Sequence, residues 1–350
     1  MTSSNAQIPK SPRILLVRLS AIGDVVQSMP MICALRDRFP SATLAWAVEE
    51  VPGQMLQGHD AIDELITLPR GWLKSPKTVL RLRRRLRDMR FDIAIDGQGL
   101  SKSAIAAWLS GAPRRIGFGD YWGREFSRLF NNELVKTIGP HIVQRNMQLL
   151  APLDIDQSRV RFGVPVDQNA VEEVDQLVRE HGLSDGFALF CCGAGWPSKL
   201  WPTERYARVA ACLGKKWSLP SIVAWGIEKE RPRAEEVVTG SQGHAWLAPQ
   251  TSLSLMAELA RRATLLVGSD TGPLHLGAAV GAPCIGLYGP WPAERHGPYG
   301  EKNIALQEVF FEGSTRERRN APPYFMQAIS TQLVCEACDR VIDREGRKAA

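Results

Sequence analysis

The feature that most constrains this chain is a rhythm, set out twice, of short β-rich runs alternating with amphipathic or capped helical runs. In the first stretch, apolar runs at 14–17, 44–48, 65–68 and 91–95 alternate with helices expected at about 24–38, 77–90, 101–110 and 141–151. Parallel strands need a crossover between them, usually a helix, so the pattern predicts an open parallel sheet covered on both faces. A polar stretch around 154–167 interrupts it. The rhythm restarts after a helix at 170–182, with strands expected at 187–191, 222–225, 265–268 and 284–288 and helices near 203–215, 231–238, 252–262 and 272–280. At 350 residues the chain exceeds what one compact core usually holds. Two Rossmann-like α/β domains are therefore predicted, 1–165 and 166–320, followed by a tail at 321–350. A helix expected at 324–334 offers a route back to the first domain.

Composition narrows the class. No window approaches the roughly 20 apolar residues that span a bilayer, and residues 1–12 carry no apolar stretch of the secretory kind, so the expectation is a cytoplasmic protein. Seven scattered cysteines do not describe a disulfide framework, and a zinc site at Cys335 and Cys338 would need a second pair that the tail does not offer. Residues 1–166 hold 23 Lys+Arg against 15 Asp+Glu, whereas the remainder holds 20 against 22. The basicity belongs to the first half. Its densest run, 77–90, carries seven basic residues over an apolar stripe of Val79, Leu82, Leu86 and Met89. This is a solvated surface helix or one drawn to anionic lipid headgroups or a polyanionic substrate. The run has no aromatic on which bases would stack, and no nucleic-acid partner is expected.

Open parallel sheets bind ligands at the carboxyl ends of their strands, and two such halves facing a cleft would hold a ligand between them. The turns that leave the strands are therefore the places to search. Ser20-Ala-Ile-Gly-Asp24 leaves the first strand and opens a helix. Asp24 reads either as a helix cap or as a carboxylate aimed at a substrate proton. In the second half, Gly193-Ala-Gly195 leaves a buried strand, and Lys199 and Pro202 lead into the next helix. Small residues let backbone N–H groups approach an anion while Lys199 supplies a point charge, although a tight turn with a surface lysine has the same sequence. Asp270-Thr271-Gly272 with His275 gathers a carboxylate, a hydroxyl and free N–H groups at another strand-to-helix turn. His275 on its own reads as a buried, hydrogen-bonded histidine. The chain has no P-loop, no G-x-G-x-x-G fingerprint after its first strand and no nucleophile elbow. No His cluster has metal spacing, and the Asp154/Asp156 pair falls between the domains, so neither a metal nor a cofactor is expected.

Taken in order, several landmarks resemble those of glycosyltransferase family 9, the ADP-heptose:lipopolysaccharide heptosyltransferases. They are the run from Arg13 to Asp24 with Pro30, Trp46-Ala-Val-Glu-Glu50, the run from Phe91 to Ser103, Lys199-Leu-Trp-Pro202, the run from Asp270 to His275, and Tyr288-Gly-Pro290. The resemblance spans about residues 13–305, and the segments at 46–50 and 96–103 look most like the type I enzymes. It implies a GT-B fold, with an acceptor-binding first domain and a nucleotide-sugar-binding second domain. It also implies inverting, metal-independent transfer of heptose from an ADP-heptose donor to a Kdo residue of an inner-core acceptor of the Kdo-lipid A type. Asp24 would be the general base and Lys199 the catalytic cation on the donor phosphate. Gly195, Glu230, Asp270, Thr271, Gly272 and His275 would line the donor site, and Arg18, Gln98, Lys102 and Arg124 the acceptor site. Such an enzyme would work at the cytoplasmic face of the inner membrane, its basic helix 77–90 against anionic lipid. The alternatives are another nucleotide-sugar, a later heptose acceptor, or an inactive nucleotide-binding relative. Ala194 and Gly195 stand where type I enzymes often carry hydroxyls beside the phosphate, which leaves backbone donors there.

Overall fold

The computed structural model describes residues 8–157, 159–344 and 346. The chain divides into two compact units, Met1–Pro165 and Val166–Ala350. Each is built on one parallel six-stranded sheet. In the first unit β1 (Arg13–Val17), β2 (Thr43–Glu49), β3 (Glu64–Leu68), β4 (Ile93–Asp96), β5 (Arg114–Phe118) and β6 (Glu133–Val135) lie in the order β3-β2-β1-β4-β5-β6. In the second, β7 (Ala188–Cys191), β8 (Ser221–Trp225), β9 (Ala245–Gln250), β10 (Leu265–Ser269), β11 (Cys284–Leu287) and β12 (Ile304–Leu306) lie in the order β12-β11-β10-β7-β8-β9. Counted within its own half, the second order is the first repeated. Both are the doubly wound arrangement whose direction reverses beside the first strand, between β1 and β4 and between β7 and β10.

The central strands are apolar along their whole length because helices cover both faces. Ile14, Leu15, Leu16 and Val17 are fully buried, as are Leu265, Leu266 and Val267. The covering helices follow their apolar spacing. On helix Thr203–Trp217, Tyr206, Val209, Ala210, Leu213 and Trp217 are buried at three- and four-residue steps against β7 and β8 residues. Helix Pro76–Asp88 buries Leu82 and Leu86 and leaves its arginines in solvent. Pro76 fills its first turn, and Ser75 Oγ accepts the Thr78 N–H at 3.3 Å, a cap of about 1 kcal/mol.

Four strands, β5, β6, β9 and β12, lie outside the predicted set. β6, β9 and β12 are sheet edges, where three residues suffice or a proline such as Pro249 is tolerated. β5 opens on two arginines, which hides its apolar end. The helix expected at 24–38 is two, Ile22–Val26 and Met29–Arg38, with Pro30 in the first turn of the second. A proline cannot donate to the preceding turn, so the chain restarts there. The helix expected at 324–334 is a short turn, Tyr324–Gln327, followed by helix Thr331–Arg344. Met326, Ile329, Val334, Ala337, Cys338, Val341 and Ile342 belong to the second unit's core. All seven cysteines are free, and among the described residues no helix is long and apolar enough to cross a membrane.

Candidate active site

In the first unit the site residues gather at the reversal point of the sheet. Leu19 and Ser20 leave β1, while Gly97 to Lys102 leave β4 and turn into helix Ser101–Leu109. Arg18 is buried; one guanidinium nitrogen donates to the Gly97 carbonyl and the other lies 2.8 Å from Asp24 Oδ1. Asp24 Oδ2 accepts the Ala21 N–H at 3.1 Å. Asp24 therefore sits in the first turn of its helix rather than at the cap, which is Ala21. Its side chain keeps 37% exposure while Arg18 keeps 6%. Gln98 is buried and its Oε1 accepts the Leu19 N–H at 3.0 Å, tying the β1 and β4 turns together.

Two residues that sequence reasoning left out of the site shape it. Glu49, at the end of β2, pairs with Lys102 at 2.7 Å, and the same ammonium donates to Ser20 Oγ at 3.0 Å. Asp96, fully buried at the end of β4, accepts the N–H groups of Gln98 (3.1 Å) and Gly99 (3.0 Å) and the Asn131 amide (3.1 Å). Burial raises its pKa even against the hydrogen bonds that favour the charged form. Gly99 has φ +69°, and a Cβ there would strike the Trp122 carbonyl. The Arg124 N–H donates to the Gly99 carbonyl at 2.9 Å and its side chain is exposed. Arg18, Asp24, Gln98, Lys102 and Arg124 thus come together around two turns. Asp96 and Glu49 were legible only as acids at strand ends.

The second unit repeats the arrangement at its own reversal point. Lys199 closes a short turn, Pro197–Lys199, and its ammonium reaches Asp270 Oδ2 at 2.6 Å and the Asp270 carbonyl at 2.8 Å. His275 Nε2 lies 3.0 Å from Asp270 Oδ1. Burial pushes the Asp270 carboxyl upward, but Lys199 and the His275 contact outweigh it and hold the group well below the usual carboxylate range. The side chain of Asp270 keeps 7% exposure and that of Lys199 16%. The Lys199 ammonium also stands 4.5 Å from the centre of the Trp291 ring, a cation–π contact. Thr271 precedes helix Gly272–Ala279, whose first N–H groups open at the end of β10.

Glu230 sits where β8 ends, its Oε2 accepting the N–H groups of Gly226 (3.0 Å) and Ile227 (3.4 Å). It leans over the β7 turn so closely that a Cβ on Gly193 would collide with its carboxylate. Around Gly195, in contrast, a Cβ would meet nothing within 4 Å. Gly195, Lys199, Glu230, Asp270, Thr271, Gly272 and His275 therefore line the ends of β7, β8 and β10. Trp291 was not anticipated; the only signal for it was an aromatic just beyond the Tyr288-Gly-Pro290 turn. Among the described residues no group of three or more His, Cys, Asp or Glu is placed to hold a metal ion.

Two doubly wound units, each with charged side chains at its reversal point, set ligand-binding groups at their strand ends, and comparison with known proteins supplies the class. The profile of glycosyltransferase family 9 (heptosyltransferase) matches residues 79–322, and the chain belongs to that family of transferases. It is 29% identical over 309 residues to lipopolysaccharide heptosyltransferase 1 of Pseudomonas aeruginosa, covering 85% of this chain and 84% of that one. It is 27% identical to the Escherichia coli K12 protein of the same name, over 84% of this chain and 93% of that one. The fold is shared with a family 9 glycosyl transferase from Veillonella parvula (TM-score 0.85, 23% identity, 97% and 100% covered). It is also shared with E. coli heptosyltransferase WaaC with ADP (TM-score 0.76, 24% identity, 94% and 99% covered). This is the GT-B fold expected from the sequence.

Proposed function

We propose that this glycosyltransferase moves heptose from ADP-heptose to a Kdo residue of a lipopolysaccharide inner-core acceptor, with inversion and without a metal. The observation that carries the reading is an inversion between two ion pairs. In Arg18–Asp24 the cation is buried and the carboxylate open; in Lys199–Asp270 the carboxylate is the more buried partner and the cation the more open. Each unit thus presents one charge at its reversal point, the first a proton acceptor and the second a cation for phosphate.

In this mechanism the acceptor hydroxyl attacks the anomeric carbon of the donor sugar while Asp24 Oδ takes its proton. The bond from that carbon to the diphosphate oxygen breaks, and ADP leaves with the electron pair. Arg18 holds Asp24 in one orientation, and Lys199 with the N–H groups at Gly195 and Thr271–Gly272 stabilises the developing charge by preorganised electrostatics. Glu230 is placed for ribose hydroxyls, and Asp270, fixed by Lys199 and His275, for sugar hydroxyls. Gln98, Lys102 and Arg124 face the acidic acceptor, whose carboxylates favour cations. Heptosyltransferase relatives are named for lipopolysaccharide, and a solved WaaC complex holds ADP-2-deoxy-2-fluoro heptose, which supports this donor.

Helix Pro76–Asp88 meets the anionic membrane surface that carries the acceptor. The exposed basic side chains between Lys77 and Arg90, with Leu80 exposed at 63%, support that contact. The test incubates the protein with ADP-heptose and Kdo-lipid A in excess chelator and measures ADP release. Release that depends on acceptor is expected; none above the acceptor-free control overturns the reading.

A further inference from the structure

The donor loop carries its own electrostatic puzzle. Lys199 is the one cation that Gly193–Pro202 contains, and its ammonium is already committed to Asp270 through two contacts. The loop has no hydroxyl before Ser198, and Ser198 is buried. A departing nucleoside diphosphate needs more positive charge than a neutralised pair supplies.

The tail brings such a charge to the same loop. Helix Thr315–Arg319 and the turn Tyr324–Gln327 both pack on Pro197–Lys199. The guanidinium of Arg319 lies 4.4 Å from the centre of the Trp196 ring, one residue beyond Gly195. The segment is tied down on its far side. Trp201 Nε1 donates to the Ile329 carbonyl at 3.0 Å, Arg205 donates to the Gln327 carbonyl at 2.6 Å, and Met326 packs against Gly289 in the turn before Trp291. Arg319 makes no ion pair among the described residues. The one acid in its helix, Glu317, is folded back onto the Ser314 N–H at 2.7 Å as part of the cap, which leaves the arginines uncompensated.

We propose that Arg319 is a second donor-phosphate cation, held over the loop by Trp196 and directed at the diphosphate on the open side of Gly195. A guanidinium stacked on an indole keeps its N–H fork free at the edge, and that fork fits two phosphate oxygens. The tail thereby completes the donor site rather than only closing the core. The proposal deepens the reading of the second unit as the nucleotide-sugar site, with diphosphate as the ligand class.

The experiment measures binding of ADP, UDP, GDP, inorganic pyrophosphate and adenosine to the full chain by calorimetry at two salt concentrations. It compares wild type with Arg319→Ala, Arg319→Lys, Trp196→Leu and, as an equal loss of charge elsewhere, Arg340→Ala. Arg319→Ala is expected to weaken ADP and pyrophosphate about tenfold and to leave adenosine and the melting temperature unchanged. Arg319→Lys should recover part of the loss, and the salt dependence of ADP binding should be shallower in Arg319→Ala than in wild type. Trp196→Leu should weaken diphosphate binding, and adding it to Arg319→Ala should cost nothing more. Wild-type affinity for ADP and pyrophosphate in Arg319→Ala would overturn the proposal, as would an equal loss of adenosine, which would mark a structural strap. Wild type that binds a different nucleoside diphosphate in place of ADP, with the same dependence on Arg319, would end the ADP-heptose reading and leave Arg319 in place. Wild type that binds no diphosphate would overturn both.

Discussion

The two units share a strand order and a reversal point, yet they set the same ion-pair device in opposite senses. Arg18–Asp24 exposes its carboxylate, and Lys199–Asp270 leaves its cation the more exposed member. Topology therefore decides where charge collects, while burial decides which sign is offered to a ligand. The overall charge follows the same division, with the excess of basic residues in the first half and a slight acidic excess in the second.

Substitutions that cancel one side of this contrast rank by expected effect. Asp24→Asn keeps the shape and the Arg18 contact but removes the proposed proton acceptor, so transfer should fall by about 10²–10⁴-fold in a turnover assay. Lys199→Ala leaves the buried Asp270 carboxylate without its lysine and with only the His275 contact described above, and should cost about 3 kcal/mol in a denaturant titration at neutral pH. Its pH dependence follows from the sign of the shift. Asp270 sits below its unfolded value, so its pairing stabilises the fold above about pH 4 and the contribution fades as the pH falls below that. The gap in melting temperature between wild type and Lys199→Ala should therefore shrink on acidification; a gap that widens would contradict the pairing. Gly193→Ala drives a methyl into the Glu230 carboxylate and should weaken ADP severalfold while sparing pyrophosphate, read by calorimetry. Reversing Arg83, Arg84 and Arg85 to Glu should release the protein from anionic vesicles in a sedimentation assay, each cation contributing about 1 kcal/mol, and leave turnover of a soluble acceptor analogue unchanged.

Much of this was legible in the sequence because buried parallel strands leave unbroken apolar runs. β1, β2, β3, β4, β7, β8, β10 and β11 all announced themselves that way, and the turns after β1, β7 and β10 supplied Asp24, Lys199 and Asp270. Of the four edge strands only β3 did; β6, β9 and β12 did not, since three residues with one side open, as in β6 and β12, need no apolar run. Pairing was equally hidden. Nothing local in the sequence joins Glu49 to Lys102, Lys199 to Asp270 or Arg319 to Trp196, because each contact depends on which strands are neighbours. Asp96 was visible as the end of an apolar strand, but its work, fixing the turn that presents Gln98, needs the fold. Trp291 and the tail lay outside the family landmarks, so only packing brought them to the loop that carries Trp196 and Lys199.

The inversion itself is tested most directly by measuring ADP affinity and single-turnover transfer rate side by side in Asp24→Asn and Lys199→Ala. Under this inversion Asp24→Asn binds ADP as wild type does and transfers almost nothing, whereas Lys199→Ala loses ADP affinity together with rate. Asp24→Asn losing ADP affinity as Lys199→Ala does, or transferring at the wild-type rate, would contradict it.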